Sequence, residues 1–238
     1  HGLFSRAAIR ALRRTRYLAA VNTVRFPIDF EDDAPTIADD LLPATNHYSG
    51  FPILFRRYPS ELASIAVDMF LGKPAYVVEH HELFRNGCGA LEKLIDALKV
   101  MEPSLMWPSL SSSLQRMHLR KKNSASDFDG RFFTTSLVFE NDTGRKILYR
   151  FSKPEPEPDV IRAVSANDQF IEFQTRNQSI EFQLEIKPSE IVRLQLEDKD
   201  KPPMGVFSPN LVYRVKTGAR RYLSEFRDSH LSGHPRLL

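Results

Sequence analysis

The stretch Ala75-Tyr-Val-Val-Glu-His-His-Glu-Leu-Phe84 decides the predicted fold, because an apolar run ends there in ionisable side chains. Gly87 and Gly89 follow it, and the apolar residues after them recur at helical spacing. The order is therefore strand, loop, helix. Active sites of α/β proteins collect at the carboxyl ends of parallel strands, which makes His80 and His81 candidate functional residues. The alternative, that one of them is only a structural histidine, stays open.

The same alternation of helix and strand occurs upstream. Ser5 is a suitable N-cap for a helix over 5–16, and residues 17–23 form a short apolar run typical of a buried strand. The outer face of that helix is predicted to carry four arginines, namely Arg10, Arg13, Arg14 and Arg16. Ser60 is predicted to cap a second helix over 60–71. The first half of the chain is thus predicted to be α/β.

The first predicted elements are a helix and the strand that it leads into. Parallel sheets are built from strand–helix–strand units, and a helix followed by a strand is only the second part of such a unit. We therefore expect the chain to be a C-terminal portion of a longer protein. The alternative is that the helix is a genuine first element.

Two adjacent arginines, Arg56 and Arg57, end a further predicted strand over 51–57. Such a pair can bind an anionic group or hold a carboxylate by paired hydrogen bonds. More often, arginines of this kind are solvated or bridge to nearby aspartates, which are frequent between residues 24 and 59. The sequence favours this second reading and leaves the first open.

In the second half of the chain, the spacing of the apolar residues changes from the helical period to strict alternation. In Ile180-Glu-Phe-Gln-Leu-Glu-Ile186 the apolar residues fall on one face, as in a half-buried antiparallel strand. Similar runs separated by turn residues predict a β-sandwich over 131–215. The polar segment 118–130 is predicted to be a linker, and Lys153–Pro158 a stiff connection at a sandwich edge. Residues 216–238 are predicted to be a tail with a short docking helix.

Composition limits the possible functions. Of the 238 residues, 42% are hydrophobic and 26% charged, and the formal net charge is only +3, too small to indicate a nucleic-acid partner. Cys88, the single cysteine, cannot form an intrachain disulfide. No apolar run reaches the length of a membrane-spanning helix. A soluble protein is expected, with the bacterial cytoplasm and the cell envelope both open as locations and the oligomeric state unknown.

Two segments resemble polysaccharide deacetylases of the NodB homology type (carbohydrate esterase family 4). Gly2-Leu-Phe-Ser5, the helix after it and the strand over 17–23 resemble the segment that follows the family's arginine-x-proline motif. Val77-Val-Glu-His80 is similar to the family's last motif, an apolar strand that ends in a histidine near the reacting acyl group. The resemblance implies a partial (β/α) barrel over 1–117, followed by the antiparallel β-sandwich.

The resemblance also implies a reaction and roles for residues. The family removes acetyl groups from carbohydrates by metal-assisted hydrolysis, in which a histidine protonates the leaving amine. His80 takes that catalytic role here. Supporting or substrate-binding roles go to four further residues, namely His81, Glu79, Arg56 and Arg57.

The departures from the family concern the metal. The Thr-Phe-Asp-Asp-Gly strand end and the His-x-x-x-His pair, which supply the family's catalytic aspartate and metal ligands, do not occur in this sequence. Adjacent strand residues point to opposite faces, which makes His80 and His81 poor co-ligands. A divalent metal, with zinc as the first candidate, is thus expected in a full-length parent protein and not in this chain alone.

A second class of function stays open, namely a non-catalytic carbohydrate-binding or structural module. Exposed coplanar aromatic side chains would favour it. The alternating pattern instead predicts mostly buried positions for the aromatic residues Tyr149, Phe170 and Phe182.

Overall fold

The computed structural model describes residues 4–23, 29, 36–46, 48–80, 84, 87–123, 127–199 and 211–226. Strands outnumber helices in this described part, and they form three sheets with no closed barrel among them. Residues 1–202 make up one compact unit, and residues 203–238 make up a second. The predicted mixed α/β class is confirmed at this level, whereas a deacetylase-type barrel stays a prediction.

The first sheet is parallel and follows chain order. Its strands are β1 (Ala20–Asn22), β2 (Ile53–Arg57) and β3 (Tyr76–Val77). The helices of this half of the chain are α1 (Arg6–Arg14), α2 (Ile37–Leu41), α3 (Leu62–Phe70), α4 (Gly89–Met101) and α5 (Leu110–Arg116). Because α2 and α3 lie in the two crossover connections, the sheet consists of consecutive β/α units.

Both faces of the parallel sheet are covered. On one face, Ala20 and Ile53 pack against Ile9 of α1. On the opposite face, Leu54 packs against Leu114 of α5. We call these two sides the α1 face and the α5 face. A sheet buried on both sides explains why its strands are short apolar runs without alternation.

Helix α1 begins as predicted but buries an unexpected residue. The hydroxyl of Ser5 accepts a hydrogen bond from the N–H of Ala8 at 3.2 Å, which confirms the N-cap. Arg13, predicted on the outer face, is only 8% exposed. That prediction was wrong because carboxylates far along the chain, Glu155 and Asp198, bind its guanidinium.

Helix α3 begins later than predicted. Its N-cap is Glu61, and the side chain of Ser60 does not cap it. A closed turn precedes the helix, since the N–H of Glu61 donates to the carbonyl of Tyr58 and the N–H of Tyr58 donates to the Glu61 carboxylate at 2.7 Å. This turn leaves Ser60 outside the helix.

Nine described strands follow in the second half of the chain. They are β4 (His118–Lys122), β5 (Phe128–Phe132), β6 (Ser136–Glu140), β7 (Ile147–Pro154), β8 (Ile161–Ala166), β9 (Gln169–Ile171), β10 (Gln174–Arg176), β11 (Ser179–Ile186) and β12 (Ile191–Asp198). One sheet has the order β10-β11-β7-β5-β4 and the other β6-β12-β8-β9. Tight turns at Asn167-Asp168 and Asn177-Gln178, with positive φ at all four residues, join neighbouring strands as the sequence predicts.

An aromatic core joins these two sheets. Phe139 of β6 contacts Tyr149 and Phe151 of β7, with ring centroids 4.7 and 5.2 Å apart. Ile180 and Phe182 of β11 lie in the same core, as their alternation predicts. The two sheets therefore pack face to face in the manner of a β-sandwich.

One pairing departs from the predicted antiparallel sandwich. Strands β5 and β7 pair in parallel, with Phe128 beside Tyr149 and Gly130 beside Phe151. The strand between them in the chain, β6, belongs to the opposite sheet. The chain therefore changes sheets between β5 and β7, and a direct hairpin between these two strands is impossible.

The segment 118–130, for which the sequence predicts a linker, forms strand at both ends. Residues His118–Lys122 form β4, which pairs antiparallel with β5 at the edge of the five-stranded sheet. The polar pattern has another cause, since four of the five β4 side chains are exposed. An exposed edge strand carries charged residues of this kind.

The proline-rich segment Lys153–Pro158 also departs from its predicted place at a sandwich edge. Lys153 and Pro154 end β7, which is the central strand of the five-stranded sheet. Lys153 is completely buried. Pro154 is compatible with this position because it is the last residue of the strand.

Four buried or half-buried charges connect α1 to the sandwich. We call Arg13, Lys153, Glu155 and Asp198 the buried ion network. Arg13 Nη1 lies 2.8 Å from Glu155 Oε1, and Arg13 Nη2 lies 3.0 Å from Asp198 Oδ1. Lys153 Nζ donates to Glu155 Oε2 and to the carbonyl of Gly50, both at 3.0 Å. Burial lowers the pKa of Lys153, and the Glu155 carboxylate opposes this change.

The last described element is α6 (Leu211–Phe226), in the second unit. The predicted helix of the tail is present and begins before residue 216. Its Tyr222 and Leu223 side chains are exposed, and docking of this helix stays a prediction. No helix in the described part of the chain is long and apolar enough to cross a membrane.

The buried ion network predicts an unusual sensitivity at Gly50. This residue has φ +58°, and a Cβ there would overlap the Glu155 carboxylate. Gly50→Ala displaces that carboxylate from two buried cations, so we expect the free energy of unfolding to fall by about 3 kcal/mol or more. Urea denaturation of the purified chain measures this loss.

Gly72→Ala is the matched control. Gly72 also has a positive φ, +67°, but no described atom lies within 4 Å of its added Cβ. Only the backbone conformation opposes this substitution, and a loss of about 1 kcal/mol is expected. Equal losses for the two variants would contradict the central role given to the Glu155 carboxylate.

Candidate functional site

The candidate site lies at the carboxyl ends of the three parallel strands. Arg56 and Arg57 end β2, and Glu79 and His80 follow β3. Because parallel strands end at the same edge of a sheet, the structure places these four residues at one edge, as their sequence positions predict. His81 lies outside the described residues.

The imidazole of His80 is exposed. Its backbone N–H donates to Glu79 Oε1 at 2.8 Å, so this carboxylate holds the main chain and not the ring. In the described part of the chain the ring itself has no hydrogen-bond partner. The supporting role predicted for Glu79 stays a prediction, and in the structure its carboxylate contacts the loop backbone.

Arg57 is bound by a carboxylate on the α1 face. Its Nε and Nη2 donate to the two oxygens of Asp68, at 2.7 and 3.1 Å. Lys73 Nζ lies 2.9 Å from the same carboxylate. Burial opposes ionisation of Asp68, but the hydrogen bonds from Arg57 and Lys73 outweigh it, so the pKa of Asp68 is below its usual value.

Arg56 lies on the α5 face, where its surroundings differ. Its Nη2 donates to the hydroxyl of Tyr58 at 2.8 Å. Its Nε is buried, and no partner for it is present among the described residues. A buried donor without a protein partner is rare, and a water, an ion or local strain accounts for such groups in folded proteins.

The two arginines do not act together. Arg56 is in register with Tyr76 and Arg57 with Val77, so their side chains leave opposite faces of β2. Arg57 holds a carboxylate by paired hydrogen bonds, as one reading of the pair predicts, and binding of an anionic group stays a prediction. The alternative, a bridge to an aspartate, is confirmed for Arg57.

Three polar residues near this edge were not singled out from the sequence. The hydroxyl of Tyr76 lies 3.1 Å from the Ser113 hydroxyl of α5, and burial raises the pKa of Tyr76. Asn22, completely buried at the end of β1, has an Nδ2 without a described partner. The polar residue at the end of an apolar strand was the available signal for Asn22, whereas nothing local linked Tyr76 to Ser113.

The described residues do not supply the metal site of the deacetylase family. No group of three or more His, Cys, Asp or Glu side chains that could hold a metal ion occurs among the described residues. Of the described residues at this edge, His80 and Glu79 could provide two ligands at most, and Glu79 binds a backbone N–H. Structural and catalytic zinc sites take at least three protein ligands.

A second concave surface lies on the five-stranded sheet. It is a groove of about 990 Å³, and its floor includes Asp129, Arg150 and Gln183. Register places Arg150 of β7 directly between Asp129 of β5 and Gln183 of β11. All three side chains are exposed, so the groove presents a row of polar groups across three strands. We call it the sheet groove.

Comparison with protein-family models, with curated proteins and with solved structures finds no match for this chain. The resemblance to polysaccharide deacetylases rests on the residues of the chain alone.

The Arg57–Asp68–Lys73 cluster predicts a pH-dependent stability. A carboxylate with a lowered folded-state pKa stabilises the fold above its unfolded pKa of about 3.9, and the contribution is lost as the pH falls through the folded value. At pH 7, Asp68→Ala leaves two half-buried cations without their partner and is expected to cost about 2–3 kcal/mol. The difference from wild type should shrink at pH 3.

Asp96→Ala is the control for this measurement. Asp96 is exposed on α4, and its loss is expected to change the free energy of unfolding by less than about 0.5 kcal/mol at either pH. Denaturant titrations at pH 7 and pH 3 provide the comparison. A cost of Asp68→Ala that is independent of pH would contradict the ionic role of Asp68.

Proposed function

We propose that this chain is part of a polysaccharide deacetylase-like hydrolase that acts on an acetylated carbohydrate. His80 is its catalytic residue, as the proton donor to the leaving amine. The observation that carries the proposal is the exposed imidazole without a described partner at the carboxyl end of β3. A proton donor must lie within hydrogen-bond reach of the reacting group, and an exposed imidazole at a strand end can come within that reach of a substrate.

The arrangement of the parallel sheet supports the same function. Strands β1, β2 and β3 are neighbours in chain order with helices between them, as in consecutive units of a (β/α) barrel. Functional residues of such barrels lie at the carboxyl ends of the strands, where His80 and the buried Nε of Arg56 are found. The closure of a barrel by further strands belongs to the proposal.

The chemistry assigned to His80 is one proton transfer. Hydrolysis breaks the C–N bond of the acetamide, the oxygen of water is retained in acetate, and the amine nitrogen needs a proton as it leaves. The imidazolium of His80 donates that proton and becomes neutral imidazole, which histidine does readily near neutral pH. Glu79 fixes the loop that carries the ring, through the backbone N–H of His80.

The test uses the complete product of the gene that encodes this chain. Release of acetate from N-acetylated chito-oligosaccharides is measured for wild type and for His80→Ala. Loss of general acid catalysis is expected to lower kcat by about 10²- to 10⁴-fold while KM changes little. The alkaline limb of the pH profile of kcat/KM, which reports the protonated acid, should disappear in the variant.

Lys93→Ala, an exposed substitution on α4, is the control for expression and folding. The 238-residue chain alone is expected to release no acetate because the family's metal motifs are absent from it. Equal activity of wild type and His80→Ala would overturn the role of His80. Absence of activity from the complete gene product would overturn the deacetylase function.

The sheet groove favours a second candidate, a carbohydrate-binding module. Its volume of about 990 Å³ suits an oligosaccharide, and amide, guanidinium and carboxylate groups can bind sugar hydroxyls. The aromatic residues give a mixed result. Tyr149 and Phe182 are buried as predicted, but Phe170 is 72% exposed, so that part of the prediction was wrong.

Affinity electrophoresis in gels that contain soluble glycol chitin tests the sheet groove. Retardation of the wild-type chain is expected, and the double variant Arg150→Ala/Gln183→Ala is expected to migrate as in gels without polysaccharide. Gln169→Ala, an exposed substitution on the other sheet, should leave the retardation unchanged. Equal retardation of the double variant and wild type would contradict binding in the groove.

A further inference from the structure

A crevice separate from His80 lies where α1 meets the sandwich. Its volume is about 440 Å³, large enough for one or two sugar rings. Its wall is formed by the end of α1 and by residues of α5, β6 and β12. Six charged residues line it, namely Arg13, Arg14, Arg16, Arg162, Glu197 and Asp198. We call it the arginine crevice.

The charges of the arginine crevice do not cancel. Arg162 pairs with Glu197, and Arg13 pairs with Asp198 at 3.0 Å. Both acidic residues are thus neutralised within the wall. The guanidinium of Arg16, by contrast, has no hydrogen bond or ion pair with any residue that the structure describes. An arginine without a partner beside a concave surface is suited to bind an anion by two parallel hydrogen bonds.

The backbone of Arg16 is unusual for an arginine. Helix α1 ends in a Schellman motif, in which the N–H of Tyr17 donates to the carbonyl of Leu12 and the N–H of Arg16 donates to that of Arg13. This places Arg16 at the left-handed position with φ +62°, where glycine is preferred. The cost of an L-residue there is about 1–2 kcal/mol.

At the end of α3, by contrast, the left-handed position of the Schellman motif is occupied by glycine, Gly72. The N–H of Lys73 donates to the carbonyl of Asp68 and the N–H of Gly72 to that of Met69, which is the same motif. The other described non-glycine residues with positive φ are Ser, Asn, Asp or Gln in tight turns. Arg16 therefore departs from the local preference, and a backbone that is strained beside a crevice is a sign of function.

The other residues that line the crevice indicate the chemistry of the rest of the ligand. Gln115 of α5, Ser136 of β6 and Gln195 of β12 supply amide and hydroxyl groups. Tyr17, next to Arg16, is 60% exposed and presents an aromatic ring to the same space. Amides and hydroxyls bind sugar hydroxyls, and an aromatic ring covers the apolar C–H face of a sugar.

We propose that the arginine crevice binds an acidic sugar, a saccharide unit with a carboxylate or a phosphate group, and that Arg16 binds the acidic group. Tyr17 lies against the sugar ring, and Gln115 and Gln195 bind its hydroxyls. The site is independent of His80 and does not rest on the deacetylase function.

Calorimetric titration of the chain at low salt tests this site with three sugars, and inorganic phosphate is titrated as a control. D-Glucuronic acid carries a carboxylate, D-glucose 6-phosphate carries a phosphate, and D-glucose carries neither. At least one acidic probe is expected to bind, at least 10-fold more tightly than D-glucose. The acidic probe with the higher affinity identifies whether the carboxylate or the phosphate is preferred.

The decisive variant is Arg16→Gly, because it removes the guanidinium and relieves the backbone. It is expected to weaken binding of the acidic probe at least 10-fold and to raise the thermal midpoint by about 2–4 °C. Arg16→Lys keeps the charge without the paired hydrogen bonds and is expected to bind with intermediate affinity. Arg176→Gln, which removes an exposed arginine of β10, is the control for net charge.

Four results would overturn the proposal. They are the absence of binding of both acidic probes, unchanged binding by Arg16→Gly, an equal loss in Arg176→Gln, and inorganic phosphate binding as tightly as D-glucose 6-phosphate. The gain in stability of Arg16→Gly excludes misfolding as the cause of lost binding.

Discussion

The buried ion network is the constraint on which the rest of this structure depends. Arg13, Lys153, Glu155 and Asp198 combine two cations and two carboxylates, so the cluster is neutral only when all four meet. Charges withdrawn from water are tolerated only with partners in good geometry. The network thereby fixes the position of α1 against β7 and β12. It also determines where the arginine crevice lies, since Arg13 and Asp198 belong to both.

The sequence predicts those elements that are determined by residues close together in the chain. It does not predict features that depend on contacts between residues far apart in the chain. The alternation over 180–186 predicts β11, and Ser5 predicts the start of α1, because the determining residues are neighbours in the chain. Arg13 could not be placed, since its partner Glu155 is 142 residues away and Asp198 is 185 residues away. The prediction of a linker over 118–130 was wrong because a charged edge strand and a solvated connection have the same amino-acid composition.

The candidate site shows the same division. The alternation of strands and helices predicts a parallel sheet, whose strands all end at one edge. The position of His80 and Arg57 at that edge was therefore predictable. Because neighbouring side chains of a strand point to opposite faces, the sequence itself implies that Arg56 and Arg57 have separate surroundings. The sequence gives no sign that Arg16 has a positive φ or that it faces a crevice, because the segment Arg14-Thr-Arg-Tyr17 has no glycine to mark the helix end.

The parallel pairing of β5 with β7 has a consequence for how the protein forms. Strand β6 lies between these strands in the chain but in the other sheet, where β12 pairs with it and with β8. The pairings that build both sheets thus join strands distant in sequence, a topology that slows folding in general. The ion pair between Arg13 and Asp198 cannot form before the end of β12 has been synthesised. The buried ion network is therefore complete only after the last sandwich strand has left the ribosome.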